Sequence, residues 1–264
     1  LPDSRWLQIG LREMTPGLFQ ANVRREVSHY FKDRRCALVF EVVYTTAGDH
    51  LHADYSEDFS DSSELPEDKA GLIVVDRLLK GGKGHWGPLE HPSLSLMLRA
   101  DHNTMMQLRT HRVGCTFDYQ SMRYSGERIR KCAQQKISPE QVFYVRPPGT
   151  YWDRQGDKYV WTQDQADETL AMCLSSAIDY DRLRTSGASE EHSRSVLTTG
   201  YLQHGLVTGS LRFWLHLLDV RSKADAQLEV RDLMNLIELQ VQRWVPEVWT
   251  WYQQHRHHKA LLAP

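Results

Sequence analysis

The spacing of apolar side chains predicts both strands and helices along the chain. Leu94, Leu96 and Leu98 occupy every second position, a pattern typical of a half-buried strand. Apolar residues three and four positions apart predict amphipathic helices in residues 163–184 and again in residues 226–244, where a proline soon follows. The chain therefore combines a buried sheet with long helices that each have one apolar face.

Shorter elements are predicted in the first part of the chain and near its middle. Residues 19–32 suit a helix, and residues 36–44, rich in Val, Phe and Tyr, suit a strand. Residues 48–68 are acidic and turn-rich, which indicates a mobile surface loop. Residues 70–79 show helical spacing, whereas residues 138–162 hold prolines, glycines and aromatics typical of a strand or loop insertion.

Two short helices carry polar side chains that suit a binding site. Asp101 or Asn103 can cap a helix that extends to His111, and on that helix Gln107 and His111 are i,i+4 neighbours on one face. Residues 186–197 form the other short helix, which one of its own serines can cap. Within it, an i,i+3 ion pair between Glu191 and Arg194 is the simplest structural interpretation.

Composition narrows the class of protein. The chain has 264 residues, 41% hydrophobic and 25% charged, and we interpret residues 1–264 as a single catalytic domain with residues 1–50 as an N-terminal addition. Its 32 basic and 34 acidic residues leave a net charge of −2, which argues against a general nucleic-acid-binding protein. No apolar run is long enough to cross a bilayer. Four scattered cysteines suit free thiols in a reducing compartment, so we expect a cytoplasmic protein.

Cations are concentrated in residues 107–131. They are Arg109, Arg112, Arg123, Arg128, Arg130 and Lys131. Guanidinium groups bind phosphate bidentately and stay charged at any working pH. Together with Tyr119, Tyr124 and Ser121 they would form a pocket for a phosphorylated ligand that contains a ring. The alternative is a solvated basic face, in which each surface ion pair contributes about 0–1 kcal/mol.

The order of residues in this stretch, Q-x-x-x-H-R followed by S-x-R-Y-S, resembles the signature of the flavin-dependent thymidylate synthases. The family pattern is R-H-R-x7-S, embedded in Q-x-x-R-H-R and S-x-R-Y. The matching residues are Gln107, His111, Arg112, Ser121, Arg123 and Tyr124. Thr110 replaces the first arginine of the triplet, and eight residues rather than seven separate Arg112 from Ser121. The F-D-x-Q-S spacer is similar to a variant branch of the family.

Other segments resemble further blocks of the same family. The run G-H-W-G-P-L-E-H is similar to G-H-x-[ST]-x-x-E-H, with Gly87 in place of a hydroxyl residue. The run that ends in H-S-R-S-V-L-T is similar to G-x-x-x-E-x-A-R-x-V-L-P, with Thr198 where proline is usual. A predicted helix over residues 208–221 has an apolar stripe and is followed by A-D-A-Q-L-E-V-R, which is similar to the family's A-Q-x-E-I-R.

The resemblance runs in order from about residue 81 to residue 235. It implies an α/β (α+β) fold, with a mixed central sheet flanked by helices. It implies a methyltransferase that converts dUMP to dTMP, with 5,10-methylenetetrahydrofolate as carbon donor and NADPH-reduced FAD as hydride source. Family members are usually homotetramers with sites between subunits, so the expected partners are dUMP, folate and copies of the same chain, with no nucleic acid and no membrane.

The resemblance also implies roles for individual residues. Those implied at FAD are His85, Gly87, Glu90, Thr110, His111, Arg112, Asp118, Ser210, Arg212 and His216. Those implied at dUMP are Gln107, Gln120, Ser121, Arg123, Arg194 and Arg221. Arg221, His85 and Ser121 are implied in catalysis, because Arg221 would favour negative charge on the pyrimidine and His85 would lie beside the isoalloxazine. Asp118 or Gln120 takes the place of the family's acidic residue, and ADYSED faintly resembles an early flavin segment containing Ser56.

Three alternatives stay open at this stage. Cys115 lies among arginines that could lower the pKa of a nucleophilic thiol, but we interpret it as a packing residue because the family needs no enzyme nucleophile. A non-catalytic nucleotide- or RNA-binding protein could use residues 109–131, with Tyr119 and Tyr124 as a stacking platform. A metal hydrolase could use the histidines. We assign no metal ligand, and interpret the histidines of residues 255–258 as part of a disordered basic tail.

Overall fold

The computed structural model describes residues 41–48, 71–72, 74–82, 86–153 and 155–259. The strands are β1 (Glu41–Gly48), β2 (Ser93–Asp101), β3 (Cys115–Tyr119), β4 (Gly149–Trp152), β5 (Lys158–Trp161) and β6 (Leu202–Ser210). The α-helices are α1 (His102–Leu108), α2 (Met122–Ser125), α3 (Glu127–Ala133), α4 (Gln163–Thr185), α5 (Glu190–Ser193), α6 (Leu211–Arg221), α7 (Leu228–Trp244) and α8 (Pro246–His255). Val74–Leu79 is a π-helix, and Lys80–Gly82, Gly87–Glu90, Pro139–Gln141 and Arg194–Val196 are 3₁₀ turns.

The central sheet has the strand order β1-β2-β6-β3. Each neighbouring pair of these strands is antiparallel, and β4 pairs with β5 in a separate antiparallel hairpin. The predicted α+β class is therefore confirmed, while the sheet formed by these strands is antiparallel rather than mixed. The hairpin confirms the insertion predicted for residues 138–162.

Helices α6, α7 and α8 pack on the sheet and form the larger core. The predicted stripe of α6 is buried throughout: Leu211, Trp214, Leu215 and Leu218 are at most 1% exposed. The indole of Trp214 also donates to the Leu94 carbonyl at 3.2 Å, which ties α6 to β2. Each such side chain contributes about 1.5–3 kcal/mol on burial. The C-terminal end of α6 is consequently held firmly against the sheet.

A smaller core joins α3 to the long helix α4. Ile129 and Cys132 from α3 pack on Cys173, Ala177 and Tyr180 from α4. The two helices approach closely at the residue before α3, where a Cβ on Gly126 would lie 2.0 Å from the Tyr180 hydroxyl. This contact places the predicted cationic stretch beside the helix that leads to α5.

Several predictions about elements are wrong in instructive ways. β2 was expected to be half-buried, but eight of its nine residues are buried, so side chains on both of its faces are covered. The helix expected to include His111 ends at Leu108, so Gln107 and His111 do not share a helix face. Strand β6 was not predicted at all. The disordered tail is also wrong up to residue 259, since α8 runs to His255 and a turn follows.

Other predictions are confirmed or fall outside the described residues. Helices α4 and α7 match residues 163–184 and 226–244 closely, and Asp101 caps α1 by accepting from Thr104 N at 3.1 Å. The predicted strand 36–44 is described only from Glu41, and it continues to Gly48. The helix over residues 19–32, the loop over most of residues 48–68, Ser56 and His85 lie outside the described residues. Among the described helices, none is long and apolar enough to cross a membrane.

Candidate active site

Arg221, the last residue of α6, is held by the turn that follows α1. Its Nε donates to His111 Nε2 at 2.9 Å, and its Nη2 donates to Thr110 Oγ1 at 3.3 Å. The Thr110 hydroxyl in turn donates to the Gln107 carbonyl at 2.7 Å. Both contacts involve the edge of the guanidinium formed by Nε and Nη2, the side-on edge. Among the described residues, the end-on edge formed by Nη1 and Nη2 is left to hold a planar ligand through two parallel N–H groups.

The histidines beside Arg221 are neutral at neutral pH. Burial, the positive charge of Arg221 and the neighbouring His216 all lower the pKa of His111. Burial is also the main cause that lowers the pKa of His216. Asp219 raises this pKa, and Arg212 lowers it by a smaller amount. The two rings meet edge to face with centroids 5.6 Å apart. Because His111 Nε2 accepts from Arg221, the neutral His111 ring carries its proton on Nδ1 and can donate from there.

A second cluster forms where β3 leads into α2. The Ser121 hydroxyl caps α2 by accepting from Arg123 N at 3.3 Å. The Arg123 Nε forms an ion pair with Glu191 Oε1 at 2.8 Å, and about half of each side chain is exposed. Glu191 lies in α5, and Arg194 opens the 3₁₀ turn that follows. An ion pair between Glu191 and Arg194 was the structural alternative to a nucleotide-binding Arg194. Glu191 instead pairs with Arg123, and this ion pair brings the S-x-R-Y segment to the Arg194 segment.

Tyr201 marks a concentration of positive charge that sequence reasoning missed. Burial raises the pKa of its phenol, while Arg128, Arg194 and Arg109 lower it, so three guanidinium groups from different segments act on one hydroxyl. The hydroxyl is fixed by His102 Nδ1 at 3.0 Å and by Gln203 at 3.1 Å. Tyr201 directly precedes β6, and without a predicted strand there the sequence offered no signal for it.

The two clusters lie at opposite ends of β3. His111 comes before this strand and Ser121 after it, and five strand residues span about 14 Å at roughly 3.4 Å per residue. Thr110, His111, His216 and Arg221 are thus brought together, and Ser121, Arg123 and Arg194 are brought together elsewhere. Within the described part of one chain, the arginines predicted at dUMP are therefore divided between two clusters.

A third contact lies at the start of α6. Arg212 pairs with Glu90, which ends the turn Gly87–Glu90. The hydroxyl of Ser210 caps α6 by accepting from Phe213 N at 3.2 Å, so this oxygen is already engaged. Gly87 is exposed, and a Cβ there would meet nothing within 4 Å, so the surface beside this pair is open. These predicted flavin residues therefore adjoin free volume rather than a packed core.

Arg109 does not take the position of the missing arginine. Its guanidinium lies over the Tyr119 ring, 5.4 Å from the centroid, whereas Thr110 faces Arg221. The Arg112 Nε donates to the Arg109 carbonyl at 3.1 Å, which leaves the rest of its guanidinium for other partners. The Arg109 side chain is thus directed toward β3 rather than toward the Arg221 contact.

Of the two candidates for the family's acidic position, Asp118 pairs with Leu206 within the sheet and Gln120 follows β3. Gln120 N donates to the His204 carbonyl at 2.8 Å, and its Oε1 lies 3.2 Å from His204 Nδ1. Burial, then Arg128 and Arg99, lower the pKa of His204 well below its usual value. A neutral His204 therefore orients Gln120 next to Ser121.

Cys115 has the properties of a packing residue. Burial raises the pKa of its thiol to about 11, although Arg112 opposes the rise. The Sγ lies 3.1 Å from the His111 carbonyl, to which it donates. A thiol with so high a pKa is protonated at neutral pH and is a poor nucleophile.

The buried carboxylate of Glu229 is linked to Gln107 through the side chain of Gln227. Gln107 donates to Gln227, and Gln227 Nε2 donates to Glu229 Oε2 at 2.7 Å. Glu229 Oε1 accepts from the Arg146 Nε at 2.8 Å and from the Tyr144 hydroxyl at 3.3 Å. Gln227 and Glu229 belong to the A-D-A-Q-L-E-V-R run, so the sequence carried a signal, but it gave no role for them and none for Arg146.

Glu229→Gln is expected to lower the free energy of unfolding at pH 7 by about 2–4 kcal/mol, because Arg146 would lose its buried counter-charge. Burial raises the pKa of Glu229, but hydrogen bonds from Gln227 and Arg146 outweigh it and the pKa is lowered overall. The stabilisation is therefore complete above a pH of about 4.5 and is lost as the pH falls below that value. Urea denaturation across this range, with the exposed Glu168→Gln as control, should show the gap between wild type and Glu229→Gln closing in acid.

Comparisons with known proteins converge on one family. The family model described as "Thymidylate synthase complementing protein" matches residues 26–247. A flavin-dependent thymidylate synthase from Halobacterium salinarum is 31% identical, over 76% of this chain and 83% of that protein. Another, from Haloarcula marismortui, is 29% identical over 77% and 83%.

Solved structures with a similar fold include a UMP/dUMP methylase from Streptomyces cacaoi, PolB. Its complex with 5-Br UMP gives a TM-score of 0.62 at 18% identity, covering 85% of this chain and 96% of the other. Its complex with 5-Br dUMP gives 0.64 at 19% identity, covering 85% and 97%. At this identity the likeness concerns the fold.

Proposed function

Because this chain belongs to the flavin-dependent thymidylate synthase family, we propose that it methylates dUMP to dTMP, using FAD, 5,10-methylenetetrahydrofolate and NADPH. The observation that carries the proposal is the contact of Arg221 with His111 and Thr110. These residues lie in two blocks about a hundred positions apart, and both blocks resemble segments of the family. We propose a cytoplasmic location, in keeping with the free thiols Cys115, Cys132 and Cys173.

The donors around Arg221 and Arg212 fit a flavin dinucleotide. Its diphosphate needs cationic and N–H donors, which Arg112, the Nδ1–H of His111 and Arg212 can supply. Glu90 keeps Arg212 beside the exposed turn that begins at Gly87, where none of the described side chains fills the space. When bound there, FAD would supply the hydride chemistry, with NADPH as the source of electrons. The task of these residues is to bind and orient the cofactor.

Arg221 is proposed to hold the pyrimidine. Its side-on edge is fixed by His111 and Thr110, so the end-on edge can donate two parallel hydrogen bonds to O2 and N3 of the N3-deprotonated uracil. A guanidinium there stabilises negative charge on the ring and makes C5 of the uracil more electron-rich, which favours attack on the one-carbon unit. The fixed side chain also loses little entropy when the ligand binds.

The phosphate of dUMP is proposed to bind at Ser121, Arg123 and Arg194. Arg123 is half-exposed and paired with Glu191, and an arriving phosphate could compete for the same guanidinium. Arg194 acts on the Tyr201 phenol together with Arg109 and Arg128, which gives the region a positive field. Gln120, oriented by His204, would add a neutral donor beside Ser121.

A site shared between subunits reconciles the two clusters. Arg221 and Arg123 belong to two clusters near opposite ends of β3, about 14 Å apart along the strand. A neighbouring copy could bring its Ser121 end to the Arg221 end of the first. We therefore propose a homo-oligomer, with a homotetramer as the expected form, in which each nucleotide is bound by residues from different chains.

An anaerobic turnover experiment tests the proposal. Purified chain loaded with FAD is reduced with NADPH, mixed with dUMP and 5,10-methylenetetrahydrofolate, and the products are separated by chromatography. We expect dTMP in amounts that match flavin reoxidation. A flavin-bound, correctly folded protein that reoxidises without dTMP would overturn the assignment.

The rival function, nucleotide or RNA binding by residues 109–131, has weaker support. A stacking platform needs exposed aromatic faces. Tyr124 is 85% exposed, but Tyr119 is partly buried between Arg109 and Gly205. An RNA-binding protein would be colourless after incubation with FAD and would lose single-strand affinity steeply with salt.

Cys115→Ala is expected to keep most of the dTMP-forming activity, within about threefold of wild type, because a thiol with a pKa of about 11 contributes almost no thiolate at pH 8. Steady-state rates at saturating substrates measure this. Cys173→Ala, in the smaller core, is the matched control for the effect of removing a partly buried thiol. Loss of activity in Cys115→Ala alone, with unchanged flavin content, would point to a thiolate mechanism.

A further inference from the structure

We propose that Glu238, His257 and His258 form a binding site for a divalent transition metal ion such as Zn²⁺. Glu238 lies in α7, and the two histidines lie in the turn that follows α8. One potential ligand atom from each residue lies within 4.8 Å of those from the other two. The sequence alone offered only the histidines, because the carboxylate comes from a position nearly twenty residues earlier.

The histidine turn is held in place by contacts that do not depend on a metal. The Arg256 Nη2 donates to Asp219 Oδ2 at 2.7 Å, and this ion pair is almost wholly buried. The Tyr252 hydroxyl donates to Asp219 Oδ1 at 2.9 Å. These bonds fasten the end of α8 to α6, so His257 reaches Glu238 from a fixed backbone. Much of the entropy cost of assembling a three-residue site is therefore met by the fold.

The backbone of His258 has φ of 56°, a left-handed conformation that few side chains other than glycine adopt. This conformation turns the chain sharply, so that consecutive imidazoles lie on the same side, with ring centroids 3.8 Å apart. Nitrogens of both rings can therefore be directed toward one bound ion.

The chemistry and spacing of the ligand atoms suit Zn²⁺. Imidazole nitrogen and carboxylate oxygen are usual zinc ligands, at about 2.0–2.2 Å, which sets donor atoms roughly 3.3 Å apart in a tetrahedron. His257 Nε2 and Glu238 Oε1 are now 2.7 Å apart, and the widest separation is within 4.8 Å. Shifts of about 1 Å in side chains alone would reach metal geometry, and a fourth position would remain for water.

A further contact supports the carboxylate ligand. The Ser222 hydroxyl donates to Glu238 Oε1 at 2.9 Å, an interaction of the kind that orients metal-binding carboxylates. Trp249 and Tyr252 lie against His257, with ring centroids at 5.5 Å and 5.7 Å, and restrict its rotation. Glu238 and His257 are each 14% exposed, whereas His258 is exposed, so an ion could enter from the His258 side.

Metal titration of the full chain without an affinity tag tests the site. Protein dialysed against a chelator is titrated with ZnCl₂ by calorimetry and with CoCl₂ by visible absorption. We expect one ion per chain, an absorption spectrum typical of four-coordinate Co²⁺, and thermal unfolding that shifts upward with Zn²⁺. All three measurements are independent of the proposed reaction.

Variants locate the site. His258→Ala removes an exposed ligand without disturbing the core and should weaken Zn²⁺ binding at least about 10-fold, and Glu238→Gln should do the same. His255→Ala is the matched control, because the His255 ring stacks on Trp251 and its Nδ1 contacts the Trp251 carbonyl. The Zn²⁺ affinity of His255→Ala should stay within twofold of wild type. Absence of saturable one-to-one binding, or equal losses in His258→Ala and His255→Ala, would overturn the proposal.

Discussion

Arg221→Ala is expected to lower the rate of dTMP formation by about 10²–10³-fold while leaving flavin bound. The size follows from the loss of a fixed cation that faces developing negative charge on the pyrimidine. Arg221→Lys should restore little of this activity, because an ammonium group lacks the parallel N–H pair of the end-on edge. Arg243→Ala, which removes an exposed cation from α7, should behave as wild type.

Two measurements separate the pyrimidine role from a flavin role. Because Arg221 also donates to His111, its loss could disturb the residues assigned to FAD. Flavin fluorescence titration should nevertheless show less than about a tenfold change in FAD affinity, since Arg112 and Arg212 remain. Full activity in Arg221→Ala would remove the assigned role. A loss of FAD binding as large as the loss of rate would indicate that Arg221 binds the cofactor rather than the pyrimidine.

Mixing two inactive variants should restore activity if the site is shared between chains. Arg123→Ala and Arg221→Ala each remove one of the two separated clusters, so each homo-oligomer is expected to lose most dTMP formation. In a hybrid of equal parts, roughly a quarter to a half of sites would combine an intact Arg123 from one chain with an intact Arg221 from another. Co-expression with two different tags, followed by sequential purification, yields this hybrid.

The complementation result has a clear control. Combining Thr110→Ala with Arg221→Ala should give no activity beyond that of Thr110→Ala alone, because Thr110 and Arg221 are in direct contact within one chain. Recovery in the first pair and not in the second would establish that the two ends of β3 serve different sites. No recovery in either pair, with hybrids demonstrably formed, would mean that a single chain supplies every ligand, which contradicts the shared site.

The sequence predicted elements well where side chains themselves report burial. Leu211, Trp214, Leu215 and Leu218 mark the buried face of α6, and the alternating leucines mark β2. Strand β6 gave no such signal because glycines stand at positions that face packed rings. A Cβ on Gly205 would lie 2.0 Å from the Tyr119 ring, and one on Gly209 would lie 2.1 Å from the Phe213 ring. The rings of Tyr119 and Phe213, which belong to other segments of the chain, fill the space beside these glycines.

For the candidate site, motifs identified residues but not their partners. Thr110, His111 and Arg221 were each identified, yet nothing in the sequence indicated that they contact one another. Helix spacing offered Arg194 as the structural alternative partner of Glu191, whereas Glu191 pairs with Arg123, about seventy residues away. Long-range pairs depend on which elements meet, and a prediction that lacked β6 lacked the strand that joins β2 to β3.

The segment between Arg112 and Ser121 contains the paired strand β3, which limits where this segment can gain or lose a residue. Inside Cys115–Tyr119, which pairs with β6, one inserted residue would turn the side chains that follow it to the other face and expose apolar groups that now pack against the larger core. Val113 is 89% exposed and Gly114 has φ of 75°, so an added residue there would loop into solvent. Natural variation in this spacer, and any engineered extension of it, should therefore be confined to the two positions ahead of the strand.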